Sequence, residues 1–546
     1  MPVTHCFPAC GTVRTQDERL NRLYQNANEF GDTPEVWEGL FRLACLLKNK
    51  PGEEPVYRLI TEAVEETDDG SFKGTFGEQI STARAAMAVF EYNTDRTILA
   101  RIALWLRYVE IEFDNLVLQD AVLYSPADLM ELLVRFYQVS GVKSALRLCA
   151  RLRAEAFDWI TALHTFQQTI PIASGEGTEF IRELKKPDEM DFSDREKLTN
   201  HAEMLADGVR YTVFAGIFSG HTRDLSAGTT VWNHLGKHHR AVCGGTTGSP
   251  YLSGNAADRP VSTAVLAAWT EAFAAQMILP DSSWALEELI RIAFNGLEDC
   301  LSRENLPAEQ RVNTISGENK PNNPVPLYAR ITRAAAAVWS RSVTLTPDSV
   351  RFNYLLPEKV LVMIRKQPVI LEEDPACIVF RTKKPFRAPA ELYLSASERV
   401  SVRMIRDGRT IRAQDENQTE YRSGYMRTEA VWQDGDGLLT VPDNEMITEE
   451  AHHKGIIFVY GKRLLCAASD KTNFNRAACG FAVRENDAWL LPLAGTDKWR
   501  LKGNEPADIP VLPDTKGELV PTELKPYTGT VSRITVFPRA KNACLK

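Results

Sequence analysis

A glycine-rich loop at 244–255 is the stretch of this chain with the clearest capacity to form a binding site. Four glycines alternate there with the hydroxyl and amide side chains of threonine, serine, tyrosine and asparagine. Apolar residues at helical spacing follow it, at Val261, Val265, Ala268 and Ala272. Small residues allow positive φ and close approach of the backbone, and sites are often built on such loops between rigid elements. An ordinary long loop between helices explains the same composition, and both interpretations stay open.

Histidines precede this loop and could act as ligands or proton carriers. His234 and His238 are four residues apart, which places two ligands on one face of a helix. No carboxylate at ligand spacing completes a metal set, so a polar helix end is the simpler interpretation. We expect no metal here.

Composition and charge limit the class of protein. The chain has 546 residues, of which 44% are hydrophobic and 25% charged, typical of a globular protein with two to four domains. A net charge of −8 argues against a nucleic-acid partner. There is no apolar run of membrane-spanning length and no signal peptide at the start, so we expect no membrane association and a cytoplasmic location. The ten cysteines are scattered without a disulfide framework.

The elements that must position any site are of two kinds, helices in the first part of the chain and strands in the rest, as the spacing of hydrophobic residues indicates. Residues 18 to about 340 show the i, i+3, i+4, i+7 spacing of roughly a dozen helices. From about 342 onward, short β-rich segments are separated by turns, which is typical of a β-sandwich. We therefore predict a helical domain at 1–345, a β-sandwich domain at 346–475, and a β-rich C-terminal segment at 476–546 that completes the sandwich region.

The order of several motifs resembles glycoside hydrolase family 127, the β-L-arabinofuranosidase-like proteins. Asp128 stands where the family's Y-x-x-G-H-L-I-E motif has histidine, and Asp207 stands at the histidine of its H-A-V-R motif. The glycine loop resembles the family's G-G-T-T…L-S-G loop. The other matching segments are 72–78, 92–95, 291–297, 432–436 and 461–465. The resemblance implies an α+β multidomain fold with an (α/α)6 barrel followed by β-sandwich domains, and glycosidic-bond chemistry at the barrel mouth.

The metal site of that family is missing from the sequence. Its best-known members use a zinc-bound cysteine nucleophile, with ligands from a Glu-x-Cys pair and a Cys-Cys-Pro-Pro-Asn segment. Here the corresponding stretches are 262–264 (Ser-Thr-Ala) and 323–330 (Asn-Pro-Val-Pro-Leu-Tyr-Ala-Arg), which contain neither cysteine nor a carboxylate. We therefore predict no zinc, no other cofactor and no cysteine nucleophile.

A glycosidase without that site would use two carboxyl groups, one as proton donor and the other as nucleophile or base. The candidates are Asp128, Asp207, Asp258 and Glu318. Residues that could bind substrate are Glu78, Tyr124, His238, His239, Thr246, Tyr251, Asn255 and Tyr328. Each carboxylate could instead cap a helix or face solvent, and Glu131 could form an i,i+4 pair with Arg135.

The sequence thus predicts a glycoside hydrolase that acts on an oligosaccharide or small glycoside, such as an arabinofuranoside, by carboxylate chemistry. A catalytically inactive relative that binds carbohydrate or serves as a subunit is the alternative, and the missing cysteines favour it. A lyase or epimerase on the same barrel is a third class, because fold alone does not choose the reaction. A homo-oligomer is left open.

Overall fold

The fold is described from a computed structural model of the chain. The residues it describes are 11–65, 70–117, 121–169, 187–257, 259–280, 282–312, 321, 323–346, 349–364, 366–395, 400–406, 408–413, 420–422, 424–442, 445–451, 455–468, 499–502, 505–506, 511–513, 519–521, 524–530 and 533–536.

Helices fill the first part of the chain. Those in the described residues are α1 (Glu18–Asn28), α2 (Pro34–Leu47), α3 (Pro55–Glu65), α4 (Phe76–Asn93), α5 (Arg96–Val117), α6 (Ala127–Ser140), α7 (Lys143–Glu155), α8 (Trp159–His164), α9 (Phe192–Asn200), α10 (Ala202–Ser219), α11 (Thr222–His238), α12 (Thr263–Gln276), α13 (Ser283–Arg291), α14 (Leu297–Ser302) and α15 (Pro324–Ser340). A π-helical turn at Ile292–Gly296 joins α13 to α14.

Local sequence explains where these helices begin and end. Asp17 caps α1, since its carboxylate accepts hydrogen bonds from the first backbone amides of the helix. Gly141 and Gly220 end α6 and α10 in the left-handed conformation that favours glycine. Helices α7 and α8 are separated by a short break, and the Asp158 side chain caps α8 by accepting from the Thr161 amide. Val261, predicted to lie on a helix, belongs to a short strand before α12.

Six of the helices pack in a cycle. In order around the cycle, α2 packs on α4, α4 on α6, α6 on α10, α10 on α12, α12 on α15, and α15 again on α2. Four of them, α4, α10, α12 and α15, bury eleven or more residues each, so they are enclosed on most sides. The residues that these six helices direct towards the inside of the cycle therefore share one interior.

Strands dominate after residue 342, as the sequence predicts. Those in the described residues are β1 (Val13–Thr15), β2 (Pro260–Ser262), β3 (Glu309–Arg311), β4 (Val343–Leu345), β5 (Val350–Phe352), β6 (Glu358–Ile364), β7 (Gln367–Asp374), β8 (Cys377–Thr382), β9 (Phe386–Tyr393), β10 (Val400–Arg406), β11 (Arg409–Ala413), β12 (Glu420–Arg422), β13 (Tyr425–Trp432), β14 (Asp436–Pro442), β15 (Glu445–Ala451), β16 (Gly455–Tyr460), β17 (Arg463–Ala468), β18 (Trp499–Lys502), β19 (Glu505–Pro506), β20 (Val511–Pro513), β21 (Leu519–Pro521), β22 (Leu524–Pro526) and β23 (Arg533–Ile534).

The strands form several sheets. One has the order β1-β6-β7-β8-β14-β10-β11, a second β12-β13-β9-β5-β4, and a third β19-β18-β15-β16-β17-β22, with β23 also paired to β17. The first two pack together through aromatic side chains, since the rings of Phe380 and Trp432 are 4.4 Å apart. Residues alternate between buried and exposed along β6, as expected for a strand with one face in the core.

The helical and strand-rich parts are not fully separate along the chain. Strand β1, near the start, pairs antiparallel with β6, where Val13 lies opposite Val360. Strands β2 and β3 form a small antiparallel pair within the helical part, with α12 to α14 between them along the chain. The description of a purely helical half followed by a purely β half is therefore too simple. Among the described residues, no helix combines the length and apolarity needed to cross a membrane.

Candidate functional site

The glycine-rich loop is a closely packed backbone element. Gly244, Gly245, Gly248 and Gly254 all have positive φ, as the composition suggests. A β-carbon on Gly244 would lie 2.8 Å from the backbone nitrogen of Ile292, so the loop approaches the π-helical turn closely. A hydrogen bond of 2.9 Å from the Thr247 amide to the carbonyl of His239, the residue after α11, joins the loop to the end of that helix.

Most polar side chains of this loop bond to the protein itself. Thr246 is fully buried and accepts a hydrogen bond of 2.9 Å from the indole of Trp269. His239 is also buried, with Nε2 3.0 Å from the Gln168 carbonyl and Nδ1 accepting from the Gly254 amide. Asn255 donates to the Lys237 carbonyl. The ring of His238 lies 4.7 Å from that of His234 at the end of α11. These contacts give the loop a structural role.

Asp128 lies in the first turn of α6 and faces arginines from neighbouring helices. Its Oδ1 accepts from Arg84 Nη1 on α4 at 2.7 Å and from Arg210 Nη2 on α10. Arg333 Nη2 on α15 is 3.9 Å from Oδ2. The Asp128 side chain is 35% exposed, whereas those of Arg84 and Arg210 are 6% and 3% exposed. Asp128 is thus the open member of an otherwise buried ion-pair cluster.

Asp207, on α10, belongs to the same cluster but is fully enclosed. Arg330 on α15 binds its two carboxylate oxygens at 3.1 and 2.5 Å, a bidentate pair. Ser125 Oγ donates to Oδ2 at 3.1 Å, and Arg210 Nη2 is 3.4 Å from Oδ1. Since Arg210 contacts both Asp128 and Asp207, the two carboxyl groups predicted as site residues are neighbours.

A further layer of ion pairs supports these contacts. Glu271 on α12 accepts from Arg333 Nε at 2.8 Å and lies 3.6 Å from Arg210 Nη1. Glu131 forms the expected i,i+4 pair with Arg135, 3.2 Å long, and also contacts Arg84. We name the residues Arg84, Asp128, Glu131, Asp207, Arg210, Glu271, Arg330 and Arg333 the ring cluster.

The surrounding charges determine what chemistry the two aspartates can perform. Burial alone would raise the pKa of Asp128, but Arg210 and Arg84 hold that pKa well below its usual range. Arg330 and Arg210 likewise lower the pKa of Asp207 against the effect of burial. Both carboxylates are therefore ionised near neutral pH. They suit a nucleophile, a base or an orienting group, and they do not suit a proton donor.

Aromatic rings and an imidazole lie beside Asp207. His201, at the start of α10, packs edge-on against Tyr251 with ring centroids 5.5 Å apart. Burial lowers the pKa of His201, which keeps the imidazole neutral, with weaker opposing effects from Glu203 and Asp207. Tyr124 precedes Ser125, and its carbonyl accepts a hydrogen bond from the Trp159 indole. Tyr251 thus lies beside His201, and Tyr124 is adjacent in sequence to Ser125, which donates to Asp207; their role as substrate-binding residues stays a prediction.

Other predicted residues lie elsewhere or take structural roles. Glu78 forms a capping box with Thr75 at the start of α4 and accepts from the Thr75 amide at 2.6 Å. Tyr328 is buried near the start of α15, and its ring packs 5.3 Å from that of Phe30. Asp258 and Glu318 lie outside the described residues.

The positions that carry zinc ligands in the resembled family do not fit a metal. Ser262 caps α12, and Thr263 Oγ1 donates to the Pro307 carbonyl at 2.6 Å. Asn323 caps α15 through its side-chain oxygen. The thiols nearest in sequence, Cys243 and Cys300, are buried, and burial raises their pKa to about 11 and about 12. Thiols in that state are poor zinc ligands, so no step is assigned to a metal.

Sequence reasoning missed the arginines of the ring cluster. Arg84, Arg210 and Arg333 interrupt strongly apolar helical segments, and each lies on a face that the helix buries. A charged residue within a buried stripe requires a partner charge. The sequence alone shows these arginines within apolar segments, but the carboxylates that pair with them can be identified only from the packing of the helices.

Comparison with known proteins gives a likeness in fold. No protein-family model and no curated protein matches the sequence. A solved structure described as a glycoside hydrolase matches with a TM-score of 0.70 and 12% identity, over 98% of both chains. A β-arabinofuranosidase of glycoside hydrolase family 127 matches with a TM-score of 0.65 and 12% identity, over 100% of this chain and 99% of the other. A family 127 β-L-arabinofuranosidase from Geobacillus stearothermophilus T6 matches with a TM-score of 0.61 and 12% identity, over 95% and 91%. The resemblance indicated by the motifs is therefore confirmed at the level of the fold.

Proposed function

We propose that the protein is a glycoside hydrolase that cleaves a glycosidic bond beside Asp128, at the mouth of an (α/α)6 barrel formed by α2, α4, α6, α10, α12 and α15 and their outer partners. The observation that supports this proposal most directly is the partial exposure of Asp128 within a buried ion-pair cluster. The full-length fold likeness to family 127 structures supports the same class of reaction. In this proposal the helical domain spans 1–345, and β-sandwich structure spans 346–475 and 476–546.

Asp128 is the proposed nucleophile, or the base that activates water. Arg84 and Arg210 hold its Oδ1, and Arg333 Nη2 lies 3.9 Å from its Oδ2. An ionised carboxylate held in one orientation meets the requirement for either role. Asp207 is a positioning residue, because it holds Arg330 and Arg210 in place.

The proton donor must be a different residue, since arginines keep Asp128 and Asp207 ionised. Asp258 and Glu318 remain the proposed donors. Tyr124 and Tyr251 are proposed to pack on the sugar, because flat aromatic faces stack on the apolar faces of sugar rings. The proposed substrate is an oligosaccharide or a small glycoside, an arabinofuranoside among the first to test. No nucleic acid or membrane is proposed as a partner, and the proposed location is cytoplasmic.

Hydrolysis of a panel of aryl furanosides and pyranosides tests this proposal. For a substrate that is turned over, Asp128→Asn should reduce kcat by about 10²-fold or more, because the neutral amide can neither attack nor accept a proton. The matched control is Asp114→Asn, the same change at an exposed aspartate on α5. Its activity should equal that of the wild type.

Two results would contradict the proposal. Equal turnover by Asp128→Asn and the wild type would exclude Asp128 from the reaction. Turnover that EDTA and iodoacetamide both abolish would show that a metal and a thiol carry the chemistry after all. Asp258 and Glu318 would then be substituted in turn to locate the proton donor.

A second candidate is a relative that binds carbohydrate without cleaving it. Its supporting observation is that both described aspartates at this site are held by arginines. In that case the whole panel would remain uncleaved, while a sugar would raise the Tm of the wild type. Asp128→Asn would weaken that shift and Asp114→Asn would not.

A further inference from the structure

A cavity borders the ring cluster towards the last turns of the helices, whereas Asp128 lies in the first turn of α6. Its volume is about 540 Å³, within the range of small-molecule sites. The residues that line it come mainly from the last turns of the inner helices, including Phe214 and Ile217 on α10 and Ile278 after α12. Neither Asp128 nor Asp207 lines the cavity. The cavity therefore lacks the two aspartates of the proposed catalytic site, although Arg84 and Arg210, which hold Asp128, also line it.

Arginines outnumber carboxylates among the described residues that line this cavity. The carboxylates are Glu38, Glu91, Glu131 and Glu271, and the cations are Arg42, Arg84, Arg135, Arg210, Arg333 and Arg341. Arg84 and Arg210 also contact Asp128, which compensates part of that difference from the other side. Formal charge still favours an anion within the cavity.

Arg341 is one of these cations. It follows the last residue of α15, and its Nε donates to the Ala274 carbonyl at 3.1 Å. Burial and the nearby guanidinium of Arg135 lower the pKa of Arg341 to about 10, with a smaller contribution from Arg42. Most of these guanidiniums already pair with glutamates, as Arg135 does with Glu91 and Glu131, so it is the excess of positive charge that attracts an oxyanion. Guanidiniums present N–H donors in the geometry that carboxylate and phosphate accept.

Apolar side chains form the rest of the wall. Val134, Phe214, Ile217 and Ile278 offer surface that could cover the carbon skeleton of a ligand. Val139 also lines the cavity and is 51% exposed, so it lies where the cavity meets solvent. We propose that this cavity binds a small organic acid, with its carboxylate or phosphate against Arg341 and Arg135 and its carbon skeleton against the apolar wall. This inference does not depend on the proposed hydrolase activity.

The test places a charge at Val139, whose exposed side chain can be replaced without removing core packing. Glucuronate and glucose 6-phosphate are titrated calorimetrically into the full-length wild type, Val139→Glu and Val139→Gln, with glucose as the neutral probe. We expect at least one acid to bind the wild type and Val139→Gln with similar Kd. Val139→Glu should bind it at least tenfold more weakly, since its carboxylate repels the anion. Which acid binds distinguishes carboxylate from phosphate.

A second pair of variants tests the cation itself. Arg341→Gln should lose binding of the same acid, whereas Arg147→Gln, an exposed arginine on α7, should retain it. Equal binding of glucose, equal Kd for Val139→Glu and Val139→Gln, or no binding of either acid to the wild type would overturn the proposal. Glycoside turnover by Val139→Glu is measured separately, so failure of this inference and failure of the hydrolase proposal are distinguishable.

Discussion

At the scale of single residues, two buried thiols lie near the positions where family 127 proteins carry metal ligands. Cys300 Sγ is 3.5 Å from Thr263 Oγ1, and burial raises the pKa of Cys300 to about 12 and that of Cys243 to about 11. Only a thiolate reacts with iodoacetamide. We therefore expect neither thiol to be alkylated at pH 8 in the native protein, and both to be alkylated in urea, as measured by peptide mass spectrometry.

Cys377, which is partly exposed, provides the internal control for reagent access. Rapid alkylation of Cys300 or Cys243 in the native protein would contradict the assignment of a neutral thiol and reopen metal chemistry at these positions.

The sequence identified Asp128 and Asp207 as candidate site residues, but it did not show whether their carboxyl groups are ionised. Their proximity follows from two motif positions on α6 and α10, helices that pack together. Their low pKa follows from Arg84, Arg210 and Arg330, which come from three helices far apart in sequence. The spacing of residues along a chain carries no information about such long-range pairs, so the acid role stayed open for both aspartates.

At the scale of elements, two buried glutamates face each other across neighbouring strands. Glu358 on β6 lies opposite Glu373 on β7, and both are buried. Burial raises the pKa of Glu358 from 4.5 to about 8, against a hydrogen bond from Ser342. Burial, and then the charge of Glu358, raises the pKa of Glu373 well above its usual value. The pair therefore keeps protons that the unfolded chain releases.

This arrangement predicts that stability falls as pH rises. Between pH 4.5 and about 8 the folded protein holds a proton on Glu358 that the unfolded chain has lost. The free energy of unfolding should thus decrease by up to roughly 1.4 kcal/mol per pH unit in this window. Urea unfolding of the wild type and Glu358→Gln from pH 5 to pH 8 measures the difference, because the amide removes this titration.

The control is Glu372→Gln on β7, beside Glu373. Glu372 pairs with Arg381 and Lys359, which lower its pKa, so it is ionised across the whole window and its substitution should leave the pH slope unchanged. Parallel pH profiles for the wild type and Glu358→Gln would show that Glu358 does not hold the proton.

Element-level prediction from the sequence was accurate where the pattern is local. Leu20, Leu23, Tyr24 and Ala27 form the buried face of α1, as their spacing predicts. The change from helix to strand occurs between the end of α15 and the start of β4. Strand β1 was not predicted, because three residues, Val13–Thr15, carry no periodicity and are ordered by pairing with β6.

At the scale of the whole molecule, Asn295 joins the helical part to the third sheet. Its side-chain nitrogen donates to the Arg291 and Lys462 carbonyls at 2.9 and 3.0 Å, and its oxygen accepts from the Leu464 amide at 2.7 Å. The residue is 1% exposed. A buried ion pair between Asp299 and Arg533 reinforces the same junction at 3.0 Å. These contacts couple segments far apart in sequence, which no local pattern could reveal.

Removal of the Asn295 side chain should weaken that coupling. Asn295→Ala leaves the buried Leu464 amide without its acceptor, at a cost of about 1–3 kcal/mol. We expect a lower Tm and a separation of the unfolding transitions followed by helical circular dichroism and by intrinsic tryptophan fluorescence. Asn115→Ala, at an exposed position on α5, is the matched control and should unfold like the wild type. Coincident, unshifted transitions in Asn295→Ala would mean that the helical part and the third sheet are held together by other contacts, with Asp299 and Arg533 the first pair to substitute next.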